Sequence, residues 1–226
     1  MTKRGISLFF LLILGFTLLS GQEIITAEKY LELVSDNYAA IRDYEANVNI
    51  QSGNSTMVGK VSYLTPGFIR IDFTRPADQV IVFNRNSLTI YLPEFRAVLN
   101  QEVSGTRAAG QALATSQGLS ILRRNYVPSF VTGPNPEPLD SGSAERVIKL
   151  RLSRRSVSEG FREITLSINS ETRLIRRIEG ITIAGGEVRF DFTSIRTNLG
   201  IPEARFIYDA PASANMYNNF LFRDAD

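Results

Sequence analysis

The chain has 226 residues, 43% of them hydrophobic, with 25 Lys and Arg against 23 Asp and Glu and no His, Cys or Trp. Without His or Cys it has no Ser-His triad, no thiol nucleophile, no common zinc or copper site and no disulfide. The formal charge of +2 is accounted for by Lys3 and Arg4 alone, so the balance of the remainder is near zero and gives no reason to expect nucleic acid as a partner.

Lys3 and Arg4 precede an apolar run over 6–19, which Ser20, Gly21 and Gln22 close. That is the charge, core and small-residue layout of a secretory signal peptide. The run is shorter than the ~18–20 residues of a spanning helix. The expectation is a signal peptide over 1–21, removed by cleavage, and one domain over 22–226 exported to the periplasm. Lipid anchoring there would need a cysteine where Gln22 stands. The roughly 200 residues left are enough to bury a core without disulfides.

From Thr26 onward Leu31, Val34, Tyr38 and Ile41 form one helical stripe, with Thr26 as N-cap and Glu28 in the first turn, where the helix dipole favours an acid. Strands are expected at 44–51 and 56–64, joined by the hairpin turn Ser52-Gly53-Asn54-Ser55. Ile69, Ile71 and Phe73 then alternate with Arg70, Asp72 and Thr74, giving one apolar and one wet face. The segment 79–83 is apolar on both faces. Asn84-Arg85-Asn86 suits a hairpin connection, and 88–92 and 95–99 continue an antiparallel meander.

Alternation stops over 103–130, which is rich in Ala and Gly. One or two helices of low intrinsic stability are expected there, because each interior Gly costs roughly 1 kcal/mol relative to Ala. They carry Leu113, Leu119, Ile121 and Leu122 toward the sheet, either as a fixed cover or as a lid. The segment 132–143 is a loop by its three prolines and two glycines. Strands resume at 148–152, 164–168, 174–183 and 188–193, and a short one over 204–208 brings the number to about eleven. The fold class expected is mainly β: an antiparallel open barrel with helices covering its concave apolar face.

Asp72 and Asp78 sit beside arginines at wet strand positions, the usual place for charge on a solvated face, and no nucleophile–base pair is visible. The chain is read as a non-enzyme without cofactor or metal. Arg146, Arg151, Arg154, Arg155, Arg162, Arg173, Arg176, Arg177 and Arg189 concentrate in the second half. They are read as a solvated face balanced by Glu163, Glu171, Glu179 and Asp191, the alternative being a docking surface for an acidic partner or anionic headgroups.

The stretch Gly59-Lys-Val-Ser-Tyr-Leu-Thr-Pro-Gly-Phe-Ile-Arg-Ile-Asp-Phe73 with Pro76, followed by Leu88-Thr-Ile-Tyr-Leu-Pro93, resembles the outer-membrane lipoprotein carrier (LolA) family. Gly200-Ile-Pro-Glu-Ala-Arg-Phe-Ile-Tyr-Asp-Ala-Pro211 fits the same pattern. The resemblance implies an eleven-stranded open barrel with a helical lid over a cavity for acyl chains. It also implies a monomeric periplasmic chaperone that takes acylated lipoproteins from an inner-membrane ABC-type release complex toward an outer-membrane acceptor. The same fold serves lipid- or lipoprotein-sensing regulatory domains, which is the alternative function. The chain departs from the family at Thr65, where the family has the Arg that bonds the lid shut, at Thr89 and Ile71, where it has Trp, and in lacking a disulfide. With an acyl-chain cavity implied, the expected lining is Ile69, Ile71, Phe73, Ile90, Leu92, Ile148, Leu150, Ile164, Leu166 and Phe190, with Leu119 and Leu122 from the lid. Lid closure is expected to rest on apolar contacts of Leu113, Leu119 and Leu122, because Thr65 lacks the guanidinium's fork of donors.

Overall fold

The stripe through Leu31, Val34 and Tyr38 forms helix α1 (Ala27–Ala39) in the computed structural model, which describes residues 25–102 and 114–220. The Thr26 side chain caps it, accepting from the Lys29 backbone N–H at 3.2 Å. Leu31 and Val34 are fully buried. At the far end the Tyr38 hydroxyl accepts a hydrogen bond from the Ile175 backbone N–H at 3.0 Å, tying the helix to the sheet beneath it.

The first half of the sheet is the expected meander: β1 (Asp43–Ser52), β2 (Ser55–Leu64), β3 (Phe68–Arg75), β4 (Ala77–Asn84), β5 (Ser87–Leu92) and β6 (Ala97–Glu102). Helix α2 (Ser116–Asn125) follows, with β7 (Tyr126–Phe130) and the two-residue β8 (Glu137–Pro138). The second half is β9 (Arg146–Arg154), β10 (Phe161–Asn169), β11 (Ile175–Thr182) and β12 (Glu187–Thr197), with β13 (Asn215–Asn218) last. One sheet runs in the order β13-β6-β5-β4-β3-β2-β1-β12-β11-β10-β9-β7, with β8 beside β9. Its pairings are antiparallel except β13 on β6, and its two end strands do not meet, so it is an open sheet.

Among the described residues thirteen strands thus stand where about eleven were expected. β7, β8 and β13 carried no alternation: β7 includes Pro128, β8 lies inside the proline loop, and all four residues of β13 are exposed. The strand expected over 204–208 is instead a single 3-10 turn, Glu203–Phe206. The turn has no sheet edge to pair with, because it packs on the back of β3 and β4, inserting Phe206 against Phe68, Val80 and Val82. Asp72 accepts from Arg70 on its own strand and from Arg205 on this segment, clasping the C-terminal stretch to the convex face.

The concave face holds the main core. Val61 faces Ile71, and Ile71 faces Ile81, so one apolar row crosses three strands. Val48 and Ile50 continue such rows through Phe192 and Phe190. Gly59 permits the closest approach within this wall: a Cβ there would lie 2.5 Å from the Asp72 carbonyl oxygen, where the register of β2 on β3 shifts. The two α-helices of the described residues lie on this side, α1 near β7 and α2 against α1.

Candidate functional site

Between α2 and the concave face lies a cavity of about 470 Å³. Its walls come from β1 to β5 and from β10 to β12, with Ala114, Ile121 and Leu122 overhead. Val48, Ile50, Val61, Ile69, Ile71, Ile81, Phe83 and Leu88 line one side, and Phe161, Ile164, Ile178, Phe190 and Phe192 the other. Tyr44 and Tyr126 also line it, but both phenols are committed. The Tyr44 hydroxyl donates to the Ala114 carbonyl at 3.0 Å, and that of Tyr126 to the Phe161 carbonyl at 3.1 Å. Burial, followed by the neighbouring phenols of Tyr38 and Tyr63, holds the Tyr44 hydroxyl well above its usual pKa, so it remains a neutral donor. The one charged lining residue is Glu159. No group of His, Cys, Asp or Glu able to hold a metal ion occurs among the described residues.

Of the twelve side chains expected to line a cavity, the structure brings five into this wall: Ile69, Ile71, Leu122, Ile164 and Phe190. Phe73, Leu119, Ile148, Leu150 and Leu166 also lie on the concave side, buried in the packed core outside the cavity wall. Ile90 and Leu92 are half-buried on β5, Ile90 beside Ile81, and neither reaches the cavity. The division has a physical cause. Helix α1 lies against β7 and the end of β11, with Tyr30 packed 6.2 Å from Phe130, and fills the concave side there. The space that remains is over β1 to β4 and the upper part of β10 to β12. Val48 and Ile50 were missed although they alternate as clearly as Ile69 and Ile71, whereas Ile81 and Phe83 stand in a segment that is apolar on both faces and so marks no inward phase.

The connection between α2 and the sheet also differs from expectation. Leu119 and Leu122 are buried in it, and Leu113 lies outside the described residues. Apolar contact is joined by two hydroxyl bonds, however: Tyr44 to the Ala114 carbonyl, and Tyr63 to the Gln117 side-chain oxygen at 3.0 Å. The two rings stack at a tilt, 5.2 Å apart, on neighbouring strands. Thr65, half-buried beyond the end of β2, donates its backbone N–H to the Arg42 carbonyl.

No family model matches the chain. It is 27% identical over 198 residues to the outer-membrane lipoprotein carrier protein of Leptothrix cholodnii, covering 80% of this chain and 85% of that protein. It is 24% identical over 158 residues to the protein of the same name from Dechloromonas aromatica, covering 70% of each. Among solved structures, an uncharacterised conserved protein from Thermus thermophilus shares the fold at TM-score 0.56 and 15% identity, covering 85% of this chain and 98% of that one. A chain of the Pseudomonas aeruginosa MucA/MucB complex does so at TM-score 0.52 and 14% identity, covering 84% of this chain but only 62% of that one. The resemblance carried by the Gly59–Phe73 and Leu88–Pro93 stretches therefore extends over most of the chain: it is similar to outer-membrane lipoprotein carrier proteins.

Proposed function

We propose that the protein is a periplasmic carrier that shields the acyl chains of lipoproteins in the cavity beneath α2 and moves them from the inner toward the outer membrane. In this reading residues 1–21 are the signal that exports it, and 22–226 are one carrier domain. Its partners are acylated lipoproteins, an ABC-type release complex that loads it, and an acceptor at the outer membrane. The observation that carries the reading is the cavity: about 470 Å³, walled by aliphatic and aromatic side chains, with its tyrosine hydroxyls already bonded. That volume lies in the ~300–1,000 Å³ range of ligand sites.

The physical task suits this arrangement. Each methylene removed from water is worth ~0.8 kcal/mol, so about ten of them contribute ~8 kcal/mol. A carrier must hold such a chain and still release it. A short helix, tied to the sheet by two hydroxyl bonds and a few leucines, covers the site without fixing it permanently.

The test is native mass spectrometry of the protein taken from its own cell envelope, together with a variant in the wall. Ile71 is half-buried at the cavity, so a carboxylate there remains within reach of water. Ile71→Glu is expected to leave a soluble fold and to weaken binding of an apolar fluorescent probe by at least about tenfold. Leu166→Glu, in the packed core, is expected to unfold the chain. Undiminished probe binding by folded Ile71→Glu, or protein free of lipid and lipoprotein in its native envelope, would count against the carrier reading.

A further inference from the structure

We propose that Glu159 makes the mouth of this cavity selective for acyl amphiphiles with a cationic, amine-bearing head, an inference that rests on the carrier reading. The cavity reaches the surface beside the turn between β9 and β10, where Glu159 is half-buried and Gly160 is exposed. Among the described residues the Glu159 carboxylate makes no ion pair and no side-chain hydrogen bond. Other acids near arginines are committed: Asp72 to Arg70 and Arg205, Glu145 to Arg176, Asp191 to Arg177. A carboxylate left without a cation beside an otherwise apolar opening is a place for a cation that arrives with the ligand.

The turn holds this carboxylate at the rim. The Ser156 hydroxyl accepts from the Ser158 backbone N–H at 3.3 Å, and the Glu159 backbone N–H donates to the Ser156 carbonyl at 3.4 Å. The charge of Glu159 is felt inside the cavity: the Tyr126 phenol is pushed above its usual pKa first by burial and then by Glu159, against smaller opposing effects of its hydrogen bond to the Phe161 carbonyl and of Arg154. With the apolar wall holding the chain, an ammonium head gains an ion pair at the rim. A carboxylate head meets repulsion there, and a hydroxyl head meets neither.

The experiment is displacement of an apolar fluorescent probe by three twelve-carbon amphiphiles, dodecylammonium, dodecanol and dodecanoate, at pH 7 and low salt, for wild type, Glu159→Gln and Glu159→Lys. For wild type, dodecylammonium is expected to bind about fivefold more tightly than dodecanol, the size of an exposed ion pair, with dodecanoate weakest. The preference should vanish in Glu159→Gln, reverse in Glu159→Lys and shrink as salt is raised. Probe binding with equal affinity for all three heads, or a preference that survives Glu159→Gln, overturns the inference while leaving the carrier reading intact. Failure of the wild type to bind the probe at all would overturn both.

Discussion

Tyr44 and Tyr63 tie the start of α2 to the sheet by hydroxyl bonds, and nothing in their own stretches of sequence announces it. Each sits on the inward phase of a strand, where an aromatic residue is ordinarily core. Their partners, Ala114 and Gln117, lie 70 and 54 residues away. The partner of Tyr44 is a backbone carbonyl that no sequence pattern marks. By contrast, Ile69 and Ile71 were legible because strict alternation fixes the inward phase of β3 without any knowledge of partners. The two phenols have unequal consequences. Tyr44→Phe strands a buried carbonyl, whereas Tyr63→Phe leaves a partly exposed glutamine with Ser116 still bonded to it. A lost buried hydrogen bond costs ~1–3 kcal/mol. Tyr44→Phe is therefore expected to speed probe entry and exit, measured by stopped flow, by about fivefold or more, and Tyr63→Phe by less. Identical rates in both variants and wild type would mean that these bonds do not hold α2 down.

Helix α2 differs from α1 in how it is held. The Thr115 hydroxyl caps it through the Gly118 N–H at 3.0 Å, but Gly118 then weakens its first turn. Its packing is on α1 and β7, with Leu119 and Leu122 turned inward. Helix α1 buries a longer stripe and is pinned to β11 through Tyr38. Amide exchange over 116–125 is therefore expected to be faster than in β1 and β2 while α1 stays protected, and Leu119→Ser should quicken it further without touching the sheet. Protection of 116–125 equal to that of the central strands would make α2 a fixed cover. At this scale the long strands with turn-marked ends were readable from β1 to β6 and from β9 to β12. The elements that were not readable draw their reason from elsewhere in the molecule. β13 exists because the C-terminal stretch arrives beside β6. The segment 204–208 alternates like a strand, yet it lies where no edge was free.

Across the whole molecule the C-terminal stretch crosses behind the sheet, and Asp72 is one of its charged fastenings, beside the Arg85–Glu203 pair. Burial raises the pKa of this carboxyl, but the hydrogen bonds and charges of Arg70 and Arg205 outweigh it, so the folded value lies below the ordinary one. A depressed folded pKa adds stability above the unfolded value, near 4, and that stability is lost as pH falls through the folded value. Acidification below about pH 4, or Asp72→Asn at neutral pH, is therefore expected to quicken amide exchange over 203–208. Unaltered exchange in Asp72→Asn would mean that Phe206 on Phe68, the Arg85–Glu203 pair and the Arg70 bonds to the Arg205 and Ile207 carbonyls hold the segment without it.

The open edge of the sheet has a consequence for the proposed carrier role. A closed barrel has a girth set by its strand number and stagger, and widening it breaks a ladder of backbone bonds. Here β7 and β13 end the sheet without bonding to each other. The curl of the wall can slacken or tighten while every strand keeps its neighbours. In the carrier reading the space beneath α2 would then be an elastic dimension, and chains of different thickness would be held by one protein through bending alone.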